Sequence, residues 1–364
     1  MGYEKRRELI QELQKIRKSK IITHINSDRR RLDSVNIPGL VTQLSTEAQP
    51  HFSKVLYDLG MHDKIDLFIH TNGGSTDSVW PLVSLFREYT DNFNVIVPYK
   101  AHSAGTLICL GANTILISKD GELSPIDPST GNPFNPVDEI NPGKRKGISV
   151  EDVAAYFDLA RNPLSKSDST NGEPINNTLA FQILTANVHP LALGMVNRSH
   201  KQIRDLAQRL IKTHSTLGED KLTSVINTFT EKRYSHSDIF NRKEIRELLG
   251  NEVVMYPNEN EEQLIRLLFD EYNDALQLLY PFSPAVELSD TQSKRLSIIG
   301  GIIESENTSI IFKSEFILSK RSDLPKNFQI QIPPNQALPL IPGLPELYHI
   351  NTINMGWQIN EDII

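Results

Sequence analysis

The chain of 364 residues has one cysteine, Cys109, in an apolar run. No disulfide can form within it, and the Cys/His clusters of a zinc site are missing. Cys109 is expected to be a small buried residue. No apolar run approaches the roughly 18 residues of a membrane span. The opening "MGYEKRRELIQELQKIRKSK" is basic and lacks the apolar core of a signal peptide. Gly2 follows Met1, but Arg6 stands where a myristoylation signal has Ser or Thr. A cytoplasmic setting is therefore expected. Positive charge is also short: the net charge of −7 gives no electrostatic reason to expect nucleic acid. Neither G-x-x-x-x-G-K-[ST] nor G-x-G-x-x-G occurs, so nucleotide binding has little support. No cofactor is implied.

What is present is a soluble, globular composition, 38% hydrophobic and 23% charged. Leu9, Ile10, Leu13 and Ile16 predict a helix over residues 4–18. Strands are expected at 20–26, 64–71, 94–100 and 114–120. Between them, helices are expected at 45–60, 72–90 (after a glycine turn) and 103–112. Strands alternating with helices indicate βαβ units and a largely parallel sheet. Residues 128–148 read as a Pro/Gly/Asn-rich loop, and 149–162 as a helix with a capping-box start. A long helical stretch, 178–214, is expected to break or kink at Pro190. Helices at 219–232 and 241–250, a short strand "NEVVMY" and a helix from Glu261 to about Tyr280 follow. The tail shows two short β-like runs, "SIIFKSEFIL" and "NFQIQI", before proline-rich coil.

Two turns follow apolar strands, at the sheet edge where open α/β folds place their sites. In the first, Asn72-Gly73-Gly74, adjacent glycines allow backbone N–H groups to face a ligand oxygen. A plain strand-to-helix turn has the same sequence. The second, Ala101-His102-Ser103-Ala104-Gly105, lacks the first glycine of the hydrolase G-x-S-x-G elbow. Ser103 is either a nucleophile or an ordinary helix N-cap.

"DLFIHTNGGSTDSVWPLVSLFR" followed by "VIVPYKAHSAGTLICLGANTILISKDGELSPIDP" resembles the Clp-fold serine peptidases, a superfamily that includes the Clp proteolytic subunit and signal peptide peptidase A. The pattern is most similar to the serine dehydrogenase proteinase (SDH) branch. That branch pairs a GG turn with a "SAGT" turn and an "LGPIDPQ"-like loop, here Leu123-Ser124-Pro125-Ile126-Asp127-Pro128. "VHPLALGMVNR" also resembles it. The clear match covers about 20–130 and a looser one 185–256.

The resemblance implies an α/β fold of the ClpP/crotonase type, built of repeated ββα units. It divides the chain into an N-terminal helix (1–19), a peptidase domain (20–256, helical insertion about 130–185) and a C-terminal extension (257–364). It implies a serine endopeptidase with Ser103 as nucleophile. Gly73 or Gly74 and Ala104 would line the oxyanion hole, and Asp238 would be the triad acid. It also implies a peptide or protein substrate and a homo-oligomer, ring-like or trimer-based, with any unfoldase or activator unknown.

The general base departs from the pattern. Ile126 or Asp127 stands where the Clp subunit has its histidine, and an ordinary aspartate is a weak base for serine. Signal peptide peptidases use a lysine, which must be neutral to act. Lys144 and Lys146 lie about where such a lysine falls; "GKRKG" also reads as a solvated basic loop. His236 and His189 are further candidates. Lys100 belongs to a strand, and the His102 side chain is expected on the other face of the turn. Two other readings stay open: a catalytically silent Clp-fold scaffold, and acyl-CoA chemistry on a crotonase fold.

Overall fold

The structure is a computed structural model that describes residues 2–32, 35–126, 132–138, 145–161, 176–215, 217–231, 238–320 and 348–360. In chain order the first elements are α1 (Tyr3–Arg17), β1 (Lys20–Asn26), α2 (Gln49–Leu59), β2 (Ile65–His70) and α3 (Val79–Arg87). Next come β3 (Phe93–Val97), β4 (Lys100–Ala101), α4 (Ala104–Leu110), β5 (Thr114–Ile117) and β6 (Glu122–Leu123). The helices α5 (Val150–Arg161), α6 (Asn177–Asn187), α7 (Pro190–Lys212) and α8 (Glu219–Thr230) follow. They lead to β7 (Phe240–Asn241), α9 (Arg242–Leu249), β8 (Val254–Met255) and α10 (Glu259–Leu276). The last elements are α11 (Pro284–Leu288), β9 (Ser293–Glu304), β10 (Ser309–Lys320) and β11 (Tyr348–Ile359).

The chain forms two compact units. The first joins residues 1–60 to 258–364. Its strands run in the order β1-β9-β10-β11, each antiparallel to its neighbour. Leu9, Ile10 and Leu13 are buried on the inner face of α1, whereas Ile16 is 43% exposed and lies off that face. A buried polar cluster ties this unit together. Glu304 on β9 accepts from Arg6 Nε (2.9 Å) and Nη2 (2.7 Å), from the Tyr272 hydroxyl (2.8 Å) and from Ser309 Oγ (2.7 Å). Four donors to one carboxylate offset the cost of burying its charge. The tail differs from the sequence reading. The "SIIFKSEFIL" run is part of β10, but β9 and β11 are further 12-residue strands that the sequence reading did not pick out. Polar residues interrupt their apolar alternation, and β11 is exposed along most of its length. The "NFQIQI" run lies outside the described residues.

The second unit, residues 61–257, holds a parallel sheet in the order β2-β3-β5-β8. β2 and β3 are buried at every position, as expected of parallel strands covered on both faces. The expected strand 94–100 is instead two strands. β3 ends at Val97, and β4 starts a separate three-stranded sheet, β4-β6-β7. The predicted break at Pro190 is present: α6 and α7 meet at 110°. Among the described residues no single helix is long and apolar enough to cross a membrane, although the bent pair α6–α7 together meets that test.

Candidate active site

Ser103 sits immediately after β4 and before the first residue of α4. Its backbone has φ 49° and ψ −110°, and its hydroxyl makes no capping bond to the helix. An N-cap serine normally has extended backbone and accepts from the second or third helical N–H. Ser103 does neither. For a non-glycine residue a positive φ costs about 1–3 kcal/mol, so the surroundings must enforce it.

They enforce it from two sides. Thr71, just after β2, bridges Ala101 in parallel: Thr71 N–H donates to Lys100 O (2.9 Å), and His102 N–H donates to Thr71 O (3.0 Å). This bridge carries the glycine turn onto the serine turn. Gly73 has φ +101°, and a Cβ there would lie 2.7 Å from Ser103 Cβ and 2.9 Å from His102 O. Gly105 lets α4 close on the same residue, since its Cβ would be 2.7 Å from Thr71 Cγ2. The small residues of "SAGT" therefore serve packing as well as exposing Ser103.

On the other side is β6. Ser124, buried and next after β6, accepts the Ser103 N–H at 2.8 Å and donates to Pro125 O at 2.9 Å. The Thr106 hydroxyl lies 2.9 Å from Ala101 O and 3.0 Å from Ser124 O, and it accepts Ser124 N–H at 3.2 Å. His102 Nε2 lies 3.0 Å from Glu122 Oε1. Burial holds the Glu122 carboxyl above its ordinary range, against the opposing pull of Lys100. Sequence reasoning missed Thr71, Thr106, Glu122 and Ser124. Their roles depend on hydroxyl and carboxylate geometry, and short polar residues in turns carry no periodic signal.

The hydrogen bonds divide the candidate oxyanion donors. Gly73 N–H is taken by Thr71 Oγ1 (3.0 Å), and Ser103 N–H by Ser124. Gly74 and Ala104 are the candidates whose N–H groups neither of these hydroxyls takes. Gly74 has φ +147°, and Ala104 is the first residue of α4.

In the three-stranded sheet β6 is parallel to β4 (Ala101↔Leu123) and antiparallel to β7 (Leu123↔Phe240). Ser103 stands two residues after β4 and Asp238 two residues before β7, both beyond the paired residues. Ile126 is buried, and its N–H donates to Phe229 O (2.8 Å). Asp127 lies outside the described residues. Asp238 Oδ1 accepts the Ile239 N–H at 2.9 Å.

Of the base candidates, Lys146 and His189 are described, and their recorded contacts are with residues other than Ser103. Lys146 is exposed on a loop, its N–H donating to Pro136 O (2.9 Å). His189 is exposed and caps α7: Nδ1 accepts the Leu191 N–H (3.2 Å), and the ring stacks on Phe134 at 4.8 Å. Lys144 and His236 lie outside the described residues. Cys109 is buried in α4, and burial pushes its thiol pKa up. Among the described residues no group of His, Cys, Asp and Glu could hold a metal.

Residues 2–154 match the family described as ClpP-like SDH-type serine proteinase. Two uncharacterised proteins of Methanocaldococcus jannaschii are similar. MJ0137 is 30% identical over 128 residues, 35% of this chain and 43% of the relative. MJ1495 is 30% identical over 105 residues, 29% of this chain and 36% of the relative. The matched stretch thus spans less than half of either protein. Two solved structures of the 1510-N membrane-bound stomatin-specific protease superpose loosely. A serine-to-alanine mutant has a TM-score of 0.34 at 17% identity, covering 60% of this chain and 77% of that one. A lysine-to-alanine mutant in complex with a substrate peptide has 0.24 at 13%, covering 62% and 94%. No residue roles carry over from such superpositions. The fold is α/β. Residues 2–154, the stretch that holds both glycines, Ser103 and β6, are similar to the ClpP-like SDH-type serine proteinase family.

Proposed function

We propose that the chain is a serine endopeptidase with Ser103 as its nucleophile. The observation that carries this reading is the backbone of Ser103. A residue held at φ 49° with its hydroxyl unused as a cap, against a glycine turn, suits attack on a carbonyl and has no role as an N-cap. Ser103 Oγ attacks the peptide carbonyl carbon while a base takes its proton. The carbonyl electron pair moves onto oxygen and faces the Gly74 and Ala104 N–H groups. Collapse of the tetrahedral species expels the amine, which takes the proton from the base, and leaves an ester on Ser103. Water, deprotonated by the same base, hydrolyses the ester. Asp238 would orient the base from the far side of β6. The base itself would come from Lys144, Lys146, His189 or His236. Assembly into a homo-oligomer and a cytoplasmic setting belong to the same proposal. The test is hydrolysis of an unfolded protein such as casein: cleavage by the wild type and none by Ser103→Ala supports the reading, and equal cleavage by both refutes it.

Ile126 or Asp127, at the position where the Clp subunit has its histidine, favours a second reading, a Clp-fold subunit that binds without cleaving. It predicts peptide binding with no covalent adduct on Ser103. The crotonase alternative predicts acyl-CoA binding by calorimetry.

A further inference from the structure

We infer that β6 is a positioning strand for Ser103, with Glu122 and Ser124 as its two holding residues; the inference rests on Ser103 being the nucleophile. Along a strand, residues two apart face the same way. Glu122 and Ser124 flank Leu123, whose side chain is fully buried. Each of the two holds one residue of the 102–103 pair, Glu122 the side chain of His102 and Ser124 the backbone of Ser103. Glu122 Oε1 meets the ring of His102 at 3.0 Å, and Ser124 Oγ takes the N–H of Ser103 at 2.8 Å. The torsion φ of Ser103 turns about the bond between that nitrogen and Cα. Holding that N–H on one side, with the Gly73 turn packed against Ser103 Cβ on the other, restrains the one torsion that is costly here.

Ser124 is set to accept. A hydroxyl has one proton to give, and Pro125 O lies at 2.9 Å to receive it. Its backbone is held in turn by Thr106, in the first turn of the helix that Ser103 begins. The consequence is chemical as well as mechanical. With Ser103 N–H taken, an arriving carbonyl oxygen meets the amides of Gly74 and Ala104 and not that of the nucleophile.

The test uses the full chain, with Ser124→Ala, Ser124→Thr, Glu122→Ala and Glu122→Gln. Two readouts are taken: peptide hydrolysis with kcat and KM separated, and exchange of the Ser103 amide proton. Losing one holding hydrogen bond is expected to lower kcat about tenfold to a hundredfold, with KM changed less than about twofold. Ser124→Thr and Glu122→Gln, which keep an acceptor oxygen, restore most of kcat. The Ser103 amide exchanges faster in Ser124→Ala and as in the wild type in Ser124→Thr. Wild-type kcat and wild-type exchange in Ser124→Ala overturn the proposal and leave the nucleophile standing. A loss confined to KM overturns it as well. If Ser124→Ala does not fold, the pair Glu122→Ala and Glu122→Gln, at a partly exposed side chain, decides by the same kcat split. An inert wild type with a protected Ser103 amide overturns the nucleophile, and with it the strand's catalytic purpose.

Discussion

Gly73→Ala puts the most direct load on the site. The added methyl would stand 2.7 Å from Ser103 Cβ and 2.9 Å from His102 O. Carbon atoms rest at about 3.5–4.0 Å, so Ser103 or the glycine turn must move by about 1 Å. Neither can yield cheaply, because Thr71 and Ser124 hold both turns. The backbone adds its own cost, since φ is +101°. Strain at such a torsion is about 1–3 kcal/mol, and overpacking adds about 1–3 kcal/mol. The sum, about 2–6 kcal/mol, lowers the melting temperature. A displacement of that size at the reacting atom costs about a hundredfold in rate. Gly60→Ala is the control. Its φ is +79°, but nothing lies within 4 Å of the new Cβ, so only the strain remains. The assay is the rate of fluorophosphonate labelling beside a thermal melt for both variants. Gly73→Ala should lose labelling and stability, whereas Gly60→Ala should lose a little stability and no labelling. Equal melting shifts with wild-type labelling in Gly73→Ala would refute the packing of the two turns.

Other expectations follow from the same contacts. Burial lowers the pKa of His24 from 6.5 to about 4, so the unfolded chain takes up its proton first as pH falls. The stability from neutral His24 is complete above pH 6.5 and is lost toward pH 4, about 3 kcal/mol in all. Chemical denaturation from pH 7 to 4 should show that slope, and His24→Phe should flatten it; parallel slopes would count against the buried neutral ring. Arg6→Ala strands the Glu304 carboxylate, whose side chain is 0% exposed, and should destabilise by about 3–5 kcal/mol in a denaturant titration. A loss under 1 kcal/mol would mean the pair is solvated. His189→Ala removes the cap of α7 and should cost about 1 kcal/mol. If it also abolishes peptide hydrolysis, His189 is the base and its capping bond breaks in the working enzyme.

Much of the second unit was legible in the sequence because its signals are local. Ile65–His70 and Phe93–Val97 are mainly apolar runs, interrupted by Asp66, His70 and Asn94, and Pro190 starts a helix as its fixed torsion demands. The two turns were legible only as a pair, through their resemblance to the Clp-fold serine peptidases, since each alone also reads as a plain turn or cap. The rest depends on contacts between distant residues. β9 and β11 are long strands whose pattern Lys294, Arg295 and a run of exposed residues disguise. Partners far along the chain, Arg6 and Tyr272, meet Glu304 only in the folded unit. Ser103 could be read as a cap or a nucleophile until its φ was known. Ser124 looked like one more loop serine until its oxygen was placed against the Ser103 N–H.

The central claim is that Ser103 Oγ is a nucleophile. Its most direct test is the intact mass of the full chain after a fluorophosphonate, with the modified residue located by peptide mapping. One adduct per chain, on Ser103, absent from Ser103→Ala and slowed in Gly73→Ala, is the predicted result. A chain that stays unmodified while folded, or an adduct that persists on another residue in Ser103→Ala, would contradict it.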